Sequence, residues 1–329
     1  MTRRLVEALA RRPVDRTPVW IMRQAGRYLP EYRELRTRHS FQEAVSTPAV
    51  AAEITLQPIR RFGMDGAVIF ADIMTPLEAM GVDMTFDPGP RLRPHTLEEV
   101  IALPDLDTAR VGFVGETIRR VRADVDDEVA VIGFAGAPTT LLAYLIEGGG
   151  SKDFMELRAA VRADPVAAEA ALDRLANAMR TYLDMQVAAG ADVVQLFDTW
   201  AGIFDHSAYR QFCVPAARTS LADVGAPTIY FAPGAGHTLD VQPEVGADAY
   251  GVDWRVPIDE AWALLGDVSI QGNVDPAVLR SDPETIRAAV AEVRRLVGRR
   301  PGHIMNLGHG IDRHTPPEHV AAFIEAVRS

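Results

Sequence analysis

The feature that most constrains the fold of this chain is a repeated alternation of short apolar runs with helix-forming segments. Such a run occurs eight times, and each is followed by a helical pattern. Runs this apolar suit strands that are covered on both faces, and a helix between successive strands implies parallel pairing. The sequence therefore predicts an α/β fold, an eightfold β/α (TIM) barrel. The predicted strands are Val19–Met22, Ala67–Phe70, Val129–Phe134, Asp192–Phe197, Thr228–Phe231, Ala249–Val252, Val268–Ile270 and His303–Leu307.

Helix starts are marked by residue pairs that suit the first turn of a helix. A serine or threonine followed three residues later by glutamate forms a capping box, and proline is favoured at the first helical position. The pairs are Ser40 with Glu43, Thr96 with Glu99, Thr47 with Pro48, and Asp282 with Pro283. Pro30 likewise suits the first turn of a helix that follows the first strand. These signals predict helices between the strands.

The domain organisation follows from the absence of any dividing segment. No low-complexity linker interrupts residues 1–329, so the sequence predicts a single domain. The alternative is an open, doubly wound sheet, but no G-x-G-x-x-G follows the first strand and no G-x-x-x-x-G-K-[ST] occurs anywhere. The barrel is therefore preferred, and its active-site cleft is expected at the C-terminal ends of the strands.

The charge of the chain argues against two classes of partner. Its 34 basic residues against 45 acidic residues give a formal net charge of −11, which disfavours nucleic acid and anionic membrane surfaces. An anionic ligand therefore needs a region of positive charge on this acidic protein. An arginine cluster after the first strand supplies such a region. Arginine matches carboxylate geometry, although a solvated helix start paired with Glu31 and Glu34 is an equal interpretation of the distal arginines. The cluster consists of Arg23, Arg27, Arg33, Arg36 and Arg38.

Cysteine usage and hydropathy bound the location of the protein. The single cysteine, Cys213, excludes an intrachain disulfide and a thiolate metal cage, and it fits the reducing cytoplasm. Residues 1–12 lack the apolar core of a signal peptide. The longest uncharged stretch, Ala130–Ile146, is interrupted by glycine and proline, which predicts a strand, a turn and a helix instead of a membrane span. The chain is therefore expected to be cytoplasmic.

Three side chains near the predicted strand ends have chemistry that a cleft could use. Asp72 leaves an apolar run, so it is a general base, a metal ligand, a counter-charge to a cation, or a structural cap of its loop. Metal is the weakest of these interpretations, because no cluster of His, Asp or Glu with ligand spacing surrounds it. Tyr144 is either a buried aromatic or a substrate contact, and His309 lies between two glycines. These residues alone leave the reaction open.

Five stretches resemble the signatures of the uroporphyrinogen decarboxylase family from end to end of the chain. The resemblance implies a β/α-barrel homodimer that works without a cofactor or a metal. It also implies the substrate, uroporphyrinogen III, whose four acetate side chains lose carbon dioxide to give coproporphyrinogen III in haem biosynthesis. The matching stretches are Met22–Arg33, Thr55–Phe62, Gly133–Thr139 with its continuation to Ser151, Gln271–Pro276, and Asn306–Gly310.

The resemblance also assigns site residues by position. By this resemblance Asp72 matches the family's central aspartate. The predicted catalytic residues are Asp72, Arg23 and Tyr144. Two positions depart from the family pattern, since Ala71 stands where a serine is frequent and Pro233 stands where a lysine is common. The predicted substrate-binding residues are Arg23, Gln24, Ala25, Gly26, Arg27, Arg36, Asp72, Tyr144, Thr199 and His309.

Two other functions compete with this interpretation. Cobamide-dependent methyltransferases share the barrel and hold zinc through a His-x-Cys pair and a distant cysteine. This chain has Phe231-Ala232-Pro233-Gly234 in the corresponding region and only one cysteine overall. A non-catalytic tetrapyrrole carrier is the second rival, which needs the arginines but has no need of Asp72.

Overall fold

A computed structural model of the chain describes residues 3–86 and 89–329. Seven of its strands form one curled parallel sheet in the order β1-β4-β5-β6-β7-β8-β9, and β2 pairs with β3 in a separate antiparallel ribbon. The strands are β1 Gly66–Val68, β2 Met84–Phe86, β3 Pro90–Leu92, β4 Ala130–Gly136, β5 Val193–Phe197, β6 Thr228–Phe231, β7 Ala249–Gly251, β8 Ser269–Gln271 and β9 His303–Ile304.

Helices connect the strands of the parallel sheet and cover its outer face. The longest, α10, packs against β4, α6, α8 and α12, and a π-helical turn at Tyr209–Cys213 joins α11 to α12. The helices are α1 Arg4–Leu9, α2 Pro30–Arg38, α3 Phe41–Ser46, α4 Pro48–Phe62, α5 Thr75–Ala79, α6 Leu97–Ile101, α7 Gly112–Asp124, α8 Pro138–Glu147, α9 Met155–Ala163, α10 Pro165–Ala188, α11 His206–Ala208, α12 Val214–Leu221, α13 Ile258–Leu265, α14 Pro283–Val297 and α15 Pro317–Arg328. None of the described helices combines the length and apolar content that crossing a bilayer requires.

The predicted helix starts are confirmed with one exception. Both capping boxes form, and the Asp282 carboxylate accepts hydrogen bonds from the first turn of α14. Pro48 occupies the first turn of α4 as predicted, but the Thr47 side chain makes no capping bond. The reason is that Thr47 also ends α3, where its N–H donates to the Glu43 carbonyl, so its conformation serves the preceding helix.

The first predicted strand, Val19–Met22, differs from the expectation. It makes one parallel bridge, between Val19 and Met305, and the Val19 carbonyl accepts from the Asp65 N–H on the other side. Its remaining N–H groups go to side chains: that of Val19 donates to the Asp65 carboxylate (2.9 Å) and that of Met22 to the Asn306 amide oxygen (3.1 Å). Side chains therefore take the place of the carbonyls of a neighbouring strand, and the regular sheet has seven strands instead of eight.

A line of buried side chains crosses the interior of the curled sheet. The Trp20 indole N–H donates to Gln271 (2.9 Å), and the Gln271 amide donates to Gln195 (3.2 Å). All three residues are fully buried. The first segment is thus tied to β8 and β5 through the interior of the curled sheet, as well as to Met305 through its backbone bridge.

At the N-terminal end of the sheet, Asp65 anchors the first segment by charge. Its carboxylate is 4% exposed and accepts two hydrogen bonds of 2.7 Å from the Arg16 guanidinium. The same carboxylate also accepts a hydrogen bond from the Val19 N–H. One buried anion therefore joins Arg16 and Val19 to the start of β1.

Candidate active site

Polar side chains gather at the C-terminal edge of the parallel sheet. Arg23 follows the first segment, Asp72 follows β1, Thr199 follows β5, and His309 follows β9. Tyr144 comes from α8, the helix that leaves β4. Since the C-terminal ends of parallel strands meet at one edge, distant parts of the sequence contribute to one cleft.

Arg23 is held in an unusual backbone conformation. Its φ angle is +63°, in the left-handed region that side chains other than glycine enter at a cost. The turn is fixed because the Gln24 N–H donates to the Ile21 carbonyl (3.0 Å). The stem of the exposed Arg23 side chain lies against Gly310, where a Cβ would come within 2.5 Å of its Cδ. The conformation therefore directs the guanidinium toward the His309 loop.

The neighbours of Arg23 have structural roles in this turn. The Gln24 side chain is fully buried, accepts from the Ile21 N–H (3.0 Å) and donates to the Gly66 carbonyl (2.8 Å). Both ends of the Gln24 side-chain amide are therefore engaged within the fold, and the prediction that Gln24 binds substrate stays a prediction. A Cβ on Gly26 would lie 2.8 Å from the Arg23 carbonyl oxygen, so glycine permits the turn to close. Ala25 lies between them and is half-buried.

Asp72 is half-buried at the end of β1 and interacts electrostatically with Arg23. One of its oxygens accepts from the Met74 N–H at 2.8 Å. Burial raises the pKa of Asp72, and this bond and the Arg23 charge lower it in part. In the described part of the chain, no basic side chain forms an ion pair with Asp72 within 4.0 Å. The second oxygen can therefore accept a donor from a ligand.

Tyr144 lies near both charges. Burial raises the pKa of its hydroxyl, the Asp72 carboxylate raises it further, and the Arg23 guanidinium lowers it. Its ring contacts Trp200 edge to face at 6.2 Å between centroids. Thr199, the residue before that tryptophan, is half-buried. The structure therefore brings Arg23, Asp72, Tyr144 and the Thr199 loop together.

Asp198, directly before Thr199, is a residue whose role the sequence did not reveal. It is fully buried and accepts from the Thr140 hydroxyl (2.9 Å) and the Tyr230 hydroxyl (2.9 Å). Thr140 in turn accepts from the Trp200 N–H (3.1 Å), so this network holds the loop behind the cleft. Burial raises the pKa of Asp198 to about 6. Its position next to Thr199 after an apolar strand was the available signal.

His309 is half-buried, and its Nδ1 accepts from the Gly310 N–H at 2.7 Å. Burial lowers the pKa of His309, and the Arg23 and Arg255 charges lower it further, while Asp253 opposes them. The neutral ring with an accepting Nδ1 carries its proton on Nε2. His309 therefore offers the cleft a neutral hydrogen-bond donor.

The other predicted arginines lie farther from this group. Arg27 is exposed, and no hydrogen bond or ion pair engages it within residues 3–86 and 89–329. Arg36 is half-buried, donates to the His39 carbonyl (3.1 Å) and the Tyr32 hydroxyl (3.1 Å), and stacks over Phe41. Part of the Arg36 fork is thus used at the end of α2. Across the described residues, no group of three or more His, Cys, Asp or Glu is arranged to hold a metal ion.

Comparison with known proteins gives a consistent result. The sequence matches the family described as Uroporphyrinogen decarboxylase (URO-D) over residues 1–329. It is 45% identical to the uroporphyrinogen decarboxylase of Chromohalobacter salexigens, covering 98% of this chain and 96% of that protein. The corresponding protein of Coxiella burnetii is 44% identical, covering 99% of this chain and 94% of that protein. Among solved structures, a methyltransferase from Methanosarcina mazei shares the fold with a TM-score of 0.85 and 23% sequence identity. The match covers 99% of this chain and 97% of that protein.

Proposed function

The chain belongs to the uroporphyrinogen decarboxylase family and is a carboxy-lyase of porphyrin and haem biosynthesis, and we propose that the cleft around Asp72 carries out its reaction. The substrate is uroporphyrinogen III, and the products are coproporphyrinogen III and carbon dioxide. The observation that supports this site is the grouping of Asp72, Tyr144 and His309 around Arg23, whose charge acts on each of the three at the C-terminal edge of the sheet.

The substrate supplies its own electron sink. Protonation of a pyrrole ring at carbon makes the ring cationic. The bond between the acetate methylene and its carboxyl carbon then breaks, carbon dioxide leaves, and the electron pair enters the ring. A proton then adds to the methylene carbon to complete the methyl group, and the proton first added to the ring carbon is lost, which restores the aromatic pyrrole. The protein must therefore stabilise a transient cation and orient the reacting acetate.

Asp72 provides the negative charge that this cation requires. Its burial makes the ionised carboxylate costly, and a developing positive charge on the ring offsets that cost. Its oxygen not bound by Met74 accepts hydrogen bonds from pyrrole N–H groups. Such a preorganised charge contributes about 3–4 kcal/mol to lowering a barrier, and orientation adds about 7–11 kcal/mol.

The remaining residues bind and orient the substrate. Arg23 binds the reacting acetate, and Arg27 and Arg36 bind other carboxylates. His309 donates from its neutral ring to a carboxylate oxygen, a charge state that the sequence did not indicate. Tyr144, on α8, and Thr199 orient the macrocycle, and Asp198 holds the Thr199 loop from behind through Thr140.

The finer architecture belongs to the same proposal. Val19–Met22 acts as the eighth strand, so that residues 1–329 form a single-domain, closed β/α barrel. The Val19 bridge to Met305 and the bond from Trp20 to Gln271 support this closure. We further propose a cytoplasmic homodimer, as in the family that the sequence resembles. Sedimentation equilibrium of the purified protein tests the dimer.

The decisive experiment is anaerobic incubation of the purified protein with uroporphyrinogen III, followed by separation of products by their number of carboxylates. Asp72→Asn should lower kcat by about 10²–10³-fold, because it removes the charge that faces the cation, while product affinity is largely kept. Asp173→Asn, on the exposed side of α10, is the matched control and should keep the parental rate.

Two results would contradict this function. Parental turnover by the Asp72 variant would show that its charge is not needed. Tight binding of porphyrinogen without any release of carbon dioxide by the unmodified protein would instead support a tetrapyrrole carrier.

A further inference from the structure

Arg255, which the catalytic constellation leaves out, lies at the end of β7 beside the His309 loop. Its side chain is 54% exposed, and its guanidinium carbon lies 3.8 Å from the centre of the Trp254 ring. The Trp254 ring contacts the His309 ring edge to face, with 6.2 Å between centroids. One tryptophan therefore connects this cation to a residue of the proposed cleft.

The loops that carry Arg255 and His309 are in direct contact. A Cβ on Gly308 would overlap the backbone nitrogen of Trp254, so the two backbones approach as closely as glycine permits. The charge of Arg255 also contributes to lowering the pKa of His309, as does that of Arg23. Arg255 thus lies near the part of the cleft that Arg23 and His309 share.

The guanidinium of Arg255 is oriented but not fully used. Its Nη1 donates to the Asp253 carboxylate at 3.0 Å. That carboxylate is 4% exposed and already accepts from the N–H groups of Gly234 (2.5 Å) and Arg255 (2.8 Å). Within the described residues, Nε and Nη2 of Arg255 have no protein acceptor. A stacked, tethered guanidinium with free N–H groups is suited to bind a carboxylate with little loss of conformational entropy.

We propose that Arg255 binds a substrate carboxylate at the His309 side of the cleft and is a specificity-determining residue for polycarboxylate substrates. This inference rests on the proposed function and adds a binding position to it. The substrate carries propionate groups as well as the reacting acetate, and they need cationic partners away from Asp72. Because a carboxylate bound there keeps its charge through the reaction, Arg255 contributes to binding and not to the chemical step.

The test compares Arg255→Gln with Arg255→Lys and with Arg295→Gln. Arg295 is the matched control, since it is also exposed, is paired with one carboxylate, Glu292, and lies on α14. Arg255→Gln should raise KM for uroporphyrinogen about three- to tenfold with kcat nearly unchanged, because an exposed charged hydrogen bond is worth a modest factor. Arg255→Lys should restore part of the loss, and Arg295→Gln should match the parent.

Two further measurements separate binding from folding and from catalysis. Affinity for uroporphyrin, the stable oxidised form of the macrocycle, is measured by fluorescence and should fall in Arg255→Gln with a weaker dependence on salt. Thermal unfolding of the same variant shows whether the loss of the Asp253 partner disturbs the fold.

Unchanged KM and uroporphyrin affinity in Arg255→Gln would overturn the inference. So would equal losses in Arg255→Gln and Arg255→Lys. If the parent binds uroporphyrin but does not decarboxylate uroporphyrinogen, the proposed function fails, whereas a lower uroporphyrin affinity of Arg255→Gln would still support Arg255 as a carboxylate-binding residue.

Discussion

Replacement of Gly310 by alanine tests whether the placement of Arg23 controls activity. A Cβ at this position would lie 2.5 Å from Cδ of Arg23, 2.9 Å from Cγ and 3.0 Å from Nε. Carbon atoms in ordinary contact are about 3.5–4.0 Å apart. The φ angle of Gly310 lies outside the left-handed region, so alanine is compatible with the backbone. The new methyl group must therefore push the Arg23 stem aside by about 1 Å.

The expected effect is large on catalysis and small on stability. Misplacement of a substrate-orienting group by about 1 Å costs roughly 10²-fold in rate, equivalent to about 2.7 kcal/mol. Arg23 is exposed and ends in a flexible chain, so it can move without opening the core. Gly310→Ala should accordingly lower kcat/KM by about 10²-fold and leave the unfolding midpoint in urea within the range of surface substitutions.

Two comparisons identify the cause of such a loss. Gly112→Ala is the control, because a Cβ on that first residue of α7 meets no atom within 4 Å. In an Arg23→Ala background the Gly310 substitution should add no further loss, since the displaced group is already absent. Parental kcat/KM in Gly310→Ala, or an equal loss with and without Arg23, would refute the reasoning.

Two predictions concern stability. The pKa of His303 lies at about 4 instead of 6.5 because the ring is buried. Unfolding therefore takes up a proton as the pH falls below 6.5, and the protein should lose about 2 kcal/mol of stability between pH 8 and pH 5 through this residue. His303→Gln should lose less over that range than the parent or the exposed control His206→Gln, and equal urea midpoint shifts in all three proteins would contradict this. Asp65→Ala should cost about 3 kcal/mol in urea unfolding, because Arg16 and the Val19 N–H lose a buried acceptor. Asp15→Ala, which removes an exposed partner of Arg4, should cost much less stability than Asp65→Ala, and similar losses in both variants would count against a special role for Asp65.

The sequence predicted the strands wherever apolar runs pair along their length. Thr228–Phe231 forms β6 with the predicted bounds, and the apolar run at Ala249 forms β7. It did not show how Val19–Met22 is held, because this segment makes one parallel bridge and its other backbone partners include the side chains of Asp65 and Asn306, and no local pattern predicts hydrogen bonds over such separations. The periodicity of apolar residues indicates which face of a strand is buried. It does not indicate which groups form hydrogen bonds with the strand's backbone.

The same limit applies to the candidate site. Motif resemblance supplied Arg23, Asp72, Tyr144 and His309, which the fold brings together. It did not show that the Gln24 amide is engaged within the fold, because the Gly66 carbonyl reaches it only in three dimensions. The lowered pKa of His309 likewise depends on Arg23 and Arg255, which follow different segments of the sheet. Residue identity is readable from a motif, whereas protonation and orientation depend on the assembled environment.

The way in which the first segment is fastened has a consequence for biosynthesis. Residues 18–22 are translated long before their partners Gln271, Met305 and Asn306. Arg23, which follows this segment, reaches its position only after β9 and the residues that follow it have folded against the segment. A chain that stops before these partners therefore contains the arginines that follow the first segment but lacks the residues that position them, so we expect it to bind substrate more weakly than the parent.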